Sequence, residues 1–382
     1  MKLPVRIGLA AAVAVPALAT IAAFAAPASA ATRQITHSSG AGSVVFVQTD
    51  NTSGNRVAVY DRAASGTLKL AGTYHTGGRG GQLTGSVVDH LASQGSLVYD
   101  AAHGLLYAVN AGSNTVSVFT ASGDKLHLRQ TIHSGGTFPV SIAVRGRLVY
   151  VVNALNGGSV QGFWVRGNHL SAITGSNRGL HLSTTATPQF TNTPGQVAFS
   201  RNGGQLLVTT KANGNNIDVF KVASDGTLSA SPVVNNEPNT VPFAITYDAA
   251  GNLVVAEAGT NALATFDLHA NGKLTLLDQV STGQAATCWV AADNNHLYAS
   301  NAGSANVTGY GDATRGSLTL LGNTSTDPGT VDAVASPHGR YLYVQTGGNG
   351  IVDEFSVAKG GLTEIGSVTV ASAAGGEGIA AA

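Results

Sequence analysis

Two side chains interrupt an otherwise repetitive set of turns. The stretch "NAGSN" at Asn110 to Asn114 returns as "NAGSA" at Asn301 to Ala305, whereas the matching stretches elsewhere read "TTKANGNN", carrying Lys211, and "AEAGTN", carrying Glu257. A carboxylate beside a cation could act on a cyclic ester, Glu257 activating water as general base and Lys211 or Arg178 stabilising the oxyanion. Glu257 and Lys211 could equally form a structural ion pair. Arg178, His181, His90, His133 and Asp332 are candidate binding residues, and Asp50, Asp89, Glu237 and Glu377 share their setting. A solvated loop position is the ordinary reading for most of these.

Other chemistries lack their motifs. The chain has no G-x-S-x-G elbow, H-E-x-x-H, P-loop or Cys/His zinc spacing. "DNTSGN" at Asp50 to Asn55 lacks the alternating acids of a calcium loop and reads as a turn. No metal and no cofactor is expected. The single cysteine, Cys288, excludes an internal disulfide and reads as either a buried inert thiol or a reactive one.

Lys2 and Arg6 precede an apolar run that closes on Ala28-Ser29-Ala30, the small-x-small pattern of a secretory cleavage site. The expected organisation is a signal peptide at 1–30, an extension at 31–43 and a folded region at 44–382, secreted after cleavage near Ala30. An uncleaved anchor is the alternative, although Pro16 breaks the run. Beyond residue 30 there are 18 basic and 20 acidic residues, and charged residues make up only 10% of the chain. This balance gives no footprint for nucleic acid, and no second apolar run is long enough to span a membrane. The expected partner is a small molecule or a protein, bound by a monomer.

The elements that must position the candidates emerge from a repeat. Apolar strands recur as "VFVQTD", "LYAVNA", "VYVVNA", "LLVTTK", "LVVAEA", "LYASNA" and "LYVQTG". Their second residues are Phe46, Tyr107, Tyr150, Leu207, Val254, Tyr298 and Tyr343. An aromatic follows each by 12 to 14 residues, from Tyr60 and Phe119 to Phe355, and a leucine follows that by 7 or 8. Gly/Asn turns separate the first two landmarks, and turns such as "DGT" precede the third, so both joints are hairpins. With one further strand ahead of the later repeats, the unit is four antiparallel strands, A to D. Repeat lengths of 43 to 47 residues in four of six intervals suit a propeller blade, whereas tandem immunoglobulin-like domains run to about 100 residues.

The fold class expected is all-β, a seven-bladed β-propeller. The first repeat lacks an A strand, and "GGEGIAAA" at the end of the chain supplies one, so the C-terminal strand joins the N-terminal blade and closes the ring. Strand parity then puts every B–C turn and every D-to-A crossover on one face. The two long intervals, 61 and 57 residues, place their excess in crossovers at about 78–94 and 176–194, on that same face.

"LYAVNAGSNTVSVF", "VYVVNA", "LYASNAGS" and the "DGTL" turns resemble the seven-bladed propeller lactonase family, which includes 6-phosphogluconolactonase and carboxymuconate-cyclising enzymes, and the related YVTN-repeat surface proteins. The resemblance covers about 44–382. It implies His- and Arg-His-bearing turns before particular inner strands and an Asn-Glu pair at a B-strand end. Here the turns read "GGTFPVSIAV" and "TNTPGQVAFS", Gln196 stands in place of the His, and Thr210-Lys211 replaces Asn-Glu, leaving Glu257 as the carried-over residue. Two functions follow as expectations: a secreted propeller that binds a small molecule or protein on the crossover face, or an extracytoplasmic lactone hydrolase or cycloisomerase with an altered active site.

Overall fold

The computed structural model describes residues 44–293, 295–312 and 316–382, all within the unit Ser39–Ala382. The expected signal peptide at 1–30 and extension at 31–43 lie outside the described residues.

Each repeat folds as a four-stranded antiparallel sheet ordered A-B-C-D, and seven such sheets are present among the described residues. Blade 2 is typical, with Leu97–Asp100, Leu105–Asn110, Thr115–Ser122 and Lys125–His133. Its B strand is buried at every position, because both faces of a middle strand are covered by neighbouring blades, whereas its D strand alternates with solvent. The recurrent aromatics fill the space between blades: Tyr60, Phe119, Phe163, Phe220, Phe266, Tyr310 and Phe355 are each at most 2% exposed. In five blades a bulge between C and D falls at this aromatic, as at Phe119 and Phe266, re-aiming the ring inward. Tyrosines of the B strands reach the next blade: Tyr150 donates to the Gly226 carbonyl at 2.5 Å and Tyr343 to that of Gly66 at 2.7 Å.

The ring closes as its sequence indicates. Ile379–Ala381 forms the A strand of blade 1, pairing Val45 with Ala381, Phe46 with Ala380 and Val47 with Ile379. Gln48 N–H to the Gly378 carbonyl (2.8 Å) and Ala382 N–H to that of Val44 (3.0 Å) extend the ladder at both ends.

The second crossover begins later than its sequence suggests. Arg178–Gly179 still pairs with Ser159 and Val160 of blade 3, because the D strand of that blade is interrupted after His169–Ala172 and resumes there. Leu180 and Leu182 continue this pairing with Gly158 and Gly157, both at 2.9 Å, so the free crossover runs from about residue 183 and contains the 3-10 turn Gln189–Thr191.

Candidate functional site

The first crossover exposes its tip, where Val87 is 83% exposed, and then turns inward, with Asp89, Leu91, Ala92 and Ser93 buried. Its sequence "SVVDHLAS" is largely apolar, and it lies across the channel mouth as a plug. Ser93 donates to the Val140 carbonyl of blade 3 at 2.8 Å, and Trp289 of blade 6 donates its indole N–H to the Ser93 carbonyl at 2.6 Å. Gln94 completes a two-way bridge with the backbone of Val290, at 2.9 and 3.1 Å. Passage over blade 7 requires glycine at 347, where a Cβ would stand 1.6 Å from the Val88 carbonyl oxygen.

Plug, second crossover and blades together enclose a pocket of about 330 Å³. Val88, Asp89 and Ala92 come from the plug and Phe190 from the second crossover. Blades 4 to 6 add Lys211, Phe243, Ala258, Ala302, Cys288 and Trp289. Phe243 and Trp289 meet edge to face with centroids 5.1 Å apart, and the Lys211 ammonium lies 5.2 Å from the Phe243 ring centre. Val241, also on the wall, holds φ at 51°, a left-handed conformation that a β-branched residue adopts only under strain.

Polar groups collect at the floor. Lys211 is 1% exposed and donates to the carbonyls of Ala92 and Phe190, both at 2.6 Å, tying the two crossovers together. Asp89 Oδ1 accepts the N–H groups of Leu91 (3.1 Å) and Ala92 (2.8 Å). Burial, with the nearby Asp89 charge adding to it, holds Glu377 well above the usual carboxylate range, and burial raises Asp89 as well. Glu377 also accepts from Ser93, through both its N–H (3.1 Å) and its hydroxyl. Burial pushes Asp50 up to about 8 and Asp332 to about 7, and it lowers Lys211 to about 8.

These shifts predict how stability follows pH. Asp50 and Asp332 have folded-state values above their unfolded ones, so they favour the folded state when protonated, and that contribution is lost as pH rises through about 7 to 8. Lys211, depressed in the fold, acts in the opposite sense only above about 8. The melting temperature is expected to fall between about pH 5 and about pH 8, and Asp50→Asn to flatten that fall. A flat profile for the parent protein by calorimetry would contradict the assignment.

Of the candidates read from sequence, Lys211 lines the pocket, and Asp332 and His90 adjoin it through the acid cluster: Asp332 and His90 both sense the Asp89 charge. Glu257 lies elsewhere. It accepts from Thr260 at 2.8 Å and from Gln279 of its own blade's D strand, so no ion pair with Lys211 forms. The reason is parity: Glu257 takes the place of Asn110 and Asn301, whose side chains likewise bond within their blades, while the next residue, Ala258, is the counterpart of Lys211 and does line the pocket. Arg178 spends its guanidinium on the carbonyls of Gly175, Asn177, Leu228 and Ser229. His133 and His181 are exposed and outside the pocket lining, and Gln196 accepts from Ile245 N–H at 2.5 Å. Cys288 lines the pocket with its thiol pushed up to about 12 by burial, as an unreactive thiol.

The sequence singles out none of Phe190, Phe243 and Trp289, and Asp89 and Glu377, named on the crossover face with a solvated loop as the ordinary reading, are buried instead. One signal was available: an acid embedded in an apolar crossover, "SVVDHLAS", has to be buried with a partner.

Comparison with known proteins agrees with this architecture. Residues 257–378 match the family model described as "Lactonase, 7-bladed beta-propeller". The periplasmic gluconolactonase of Pseudomonas aeruginosa is similar in fold, with 19% identity and a TM-score of 0.69 over 88% of this chain and 98% of that one. A protein from Lactobacillus plantarum shares 18% identity (TM-score 0.70) and one from Desulfotomaculum acetoxidans 15% (TM-score 0.66), each over 88% of this chain and 98% of the other. No curated protein matches the chain in sequence.

Proposed function

Taking the chain as a lactonase-like seven-bladed propeller, we propose that it binds a compact, mainly apolar small molecule by one polar end, in the pocket between the crossovers. The observation that carries this reading is the lining: aromatic and aliphatic walls from Phe190, Val241, Phe243 and Trp289 over a floor that includes the buried Asp89 and Lys211. A volume of about 330 Å³ is at the small end of ligand sites. The lining contains neither arginine nor histidine, which argues against a phosphorylated sugar. Residues 1–30 support a location outside the cytoplasm, and a monomer is the simplest state for a closed ring.

A second reading, hydrolysis of an apolar lactone, rests on Asp89 and Lys211 both lying on the pocket lining, with the raised carboxyl of Glu377 near Asp89. Water would add to the carbonyl carbon while Asp89 takes its proton and Lys211 holds the oxyanion. The ring C–O bond would then break, its oxygen taking the proton of Glu377. The base would be Asp89 rather than Glu257, which has no access to the cavity.

Ala302→Phe would fill the pocket without touching its ionisable groups. Loss of binding to an aryl-substituted lactone with an unchanged melting temperature is expected, and Glu257→Gln should bind as the parent does. Undiminished binding by Ala302→Phe would overturn the pocket assignment. For the hydrolase reading, turnover that survives Asp89→Asn would remove Asp89 from the chemistry.

A further inference from the structure

The plug lies at the crossover face of the ring. Toward the opposite face, where the A–B turns lie, an open cavity of about 410 Å³ runs along the A strands of blades 3 and 4 and reaches Tyr247 of blade 5. Its character is the reverse of the first pocket: Arg145, Arg201, Gln196 and Tyr247 are among its walls.

The two arginines are seated in the same manner. Arg145, at the end of blade 3's strand Pro139–Arg145, crosses Gly203 of blade 4, where a Cβ would stand 2.0 Å from its Nε. Arg201 crosses Gly251 of blade 5, where a Cβ would stand 3.2 Å from its Cδ. Both glycines hold positive φ, at 77° and 102°, so a side chain is disfavoured there on backbone grounds as well. Both arginines line the cavity together with Tyr247.

The cavity leaves these cations available. Among the described residues, no carboxylate lies within ion-pair distance of Arg145 or Arg201. Arg201 gives one N–H to the Asp248 carbonyl at 3.0 Å. The neighbouring Asp248 carboxylate is taken up by the N–H groups of Gly251 (2.6 Å) and Asn252 (2.7 Å) and the Asn252 side chain (2.6 Å). Tyr247 donates its hydroxyl to the Phe199 carbonyl at 2.8 Å, so it is committed. Gln196, on the cavity wall, accepts Ile245 N–H through Oε1.

We propose that this cavity is a second binding site, selective for a small anion, with Arg145 and Arg201 as the paired cationic ligands. Guanidinium forks match either a carboxylate or a phosphate. The site stands independently of the apolar pocket, since the two share no lining residue.

Calorimetric titration of the full chain with inorganic phosphate, and separately with succinate, at low ionic strength tests it. Saturable binding of at least one anion is expected, weakened about tenfold or more by either Arg145→Gln or Arg201→Gln, since a charge-assisted hydrogen bond contributes about 1.5–3 kcal/mol. Arg147→Gln, an exposed neighbour outside the cavity, should bind as the parent does. Preference for phosphate or for succinate identifies the anionic group. Absence of binding by the parent, or equal weakening by Arg147→Gln, would overturn the proposal, the latter by showing diffuse surface attraction. Ala302→Phe, which fills the other pocket, should leave this titration unchanged, so failure of one site does not count against the other.

Discussion

Deleting Ile379–Ala382 is expected to lower the unfolding free energy by about 5 kcal/mol or more. Burial of an isoleucine contributes about 1.5–3 kcal/mol, and each of the lost strand hydrogen bonds about 1 kcal/mol. Ile379 is 5% exposed and Ala380 8%, and the partner strand Val44–Gln48 is buried along its whole length. The truncation would strip that strand of its pairing on one side, where Val45, Phe46 and Val47 meet the C-terminal residues. An unpaired apolar edge is also a template for association. Denaturant unfolding should show an earlier midpoint, and size-exclusion chromatography should show self-association. A truncated chain with the parent's midpoint would mean that the ring does not depend on this closure.

Lys211→Met should have the second largest effect, about 3–5 kcal/mol, the usual result of removing one partner from a buried charged group. The substitution keeps the length of the side chain but strands the carbonyls of Ala92 and Phe190 and removes the cation facing Asp89 and Glu377. The damage should be local as well as global. Hydrogen exchange is expected to quicken at 86–92 and 189–192, the parts of the crossovers that Lys211 joins, while the B strands keep their protection. Unchanged exchange in those two stretches would show that Lys211 does not hold the crossovers together.

Lys211 and Glu257 also show where a sequence stops being informative. The propeller was legible because its signals are local and repeated: a buried strand, a Gly/Asn turn, an aromatic and a leucine in fixed order, with no helix between units. Even the ring closure could be read, from a first repeat without an A strand and a last strand without a blade. Strand parity correctly assigned both long crossovers to one face, because it needs only the number of strands.

Convergence of side chains is a different matter. Asp89, Lys211, Cys288 and Glu377 are brought together by the path of one crossover across the channel, and no local pattern encodes that path. Glu257 drew attention as an acid at a strand end, but a one-residue difference in parity turns it into its own blade, toward Gln279, while Ala258 faces the pocket. The departures from the lactonase pattern noted at Gln196 and Thr210-Lys211 now have a structural setting. Gln196 binds the neighbouring strand backbone and lines the cavity toward the opposite face, and Lys211 supports the plug.

Trp289, on the wall of the pocket between the crossovers, can report an apolar ligand there directly. The chain contains two tryptophans, and Trp164→Phe would leave Trp289 as the single emitter. Titrating that variant with an aryl-substituted lactone and with a polyhydroxylated sugar lactone should give a saturable change in emission for the first and none for the second, and Ala302→Phe should abolish the response. A saturable response to the sugar lactone with none to the aryl lactone would contradict the account.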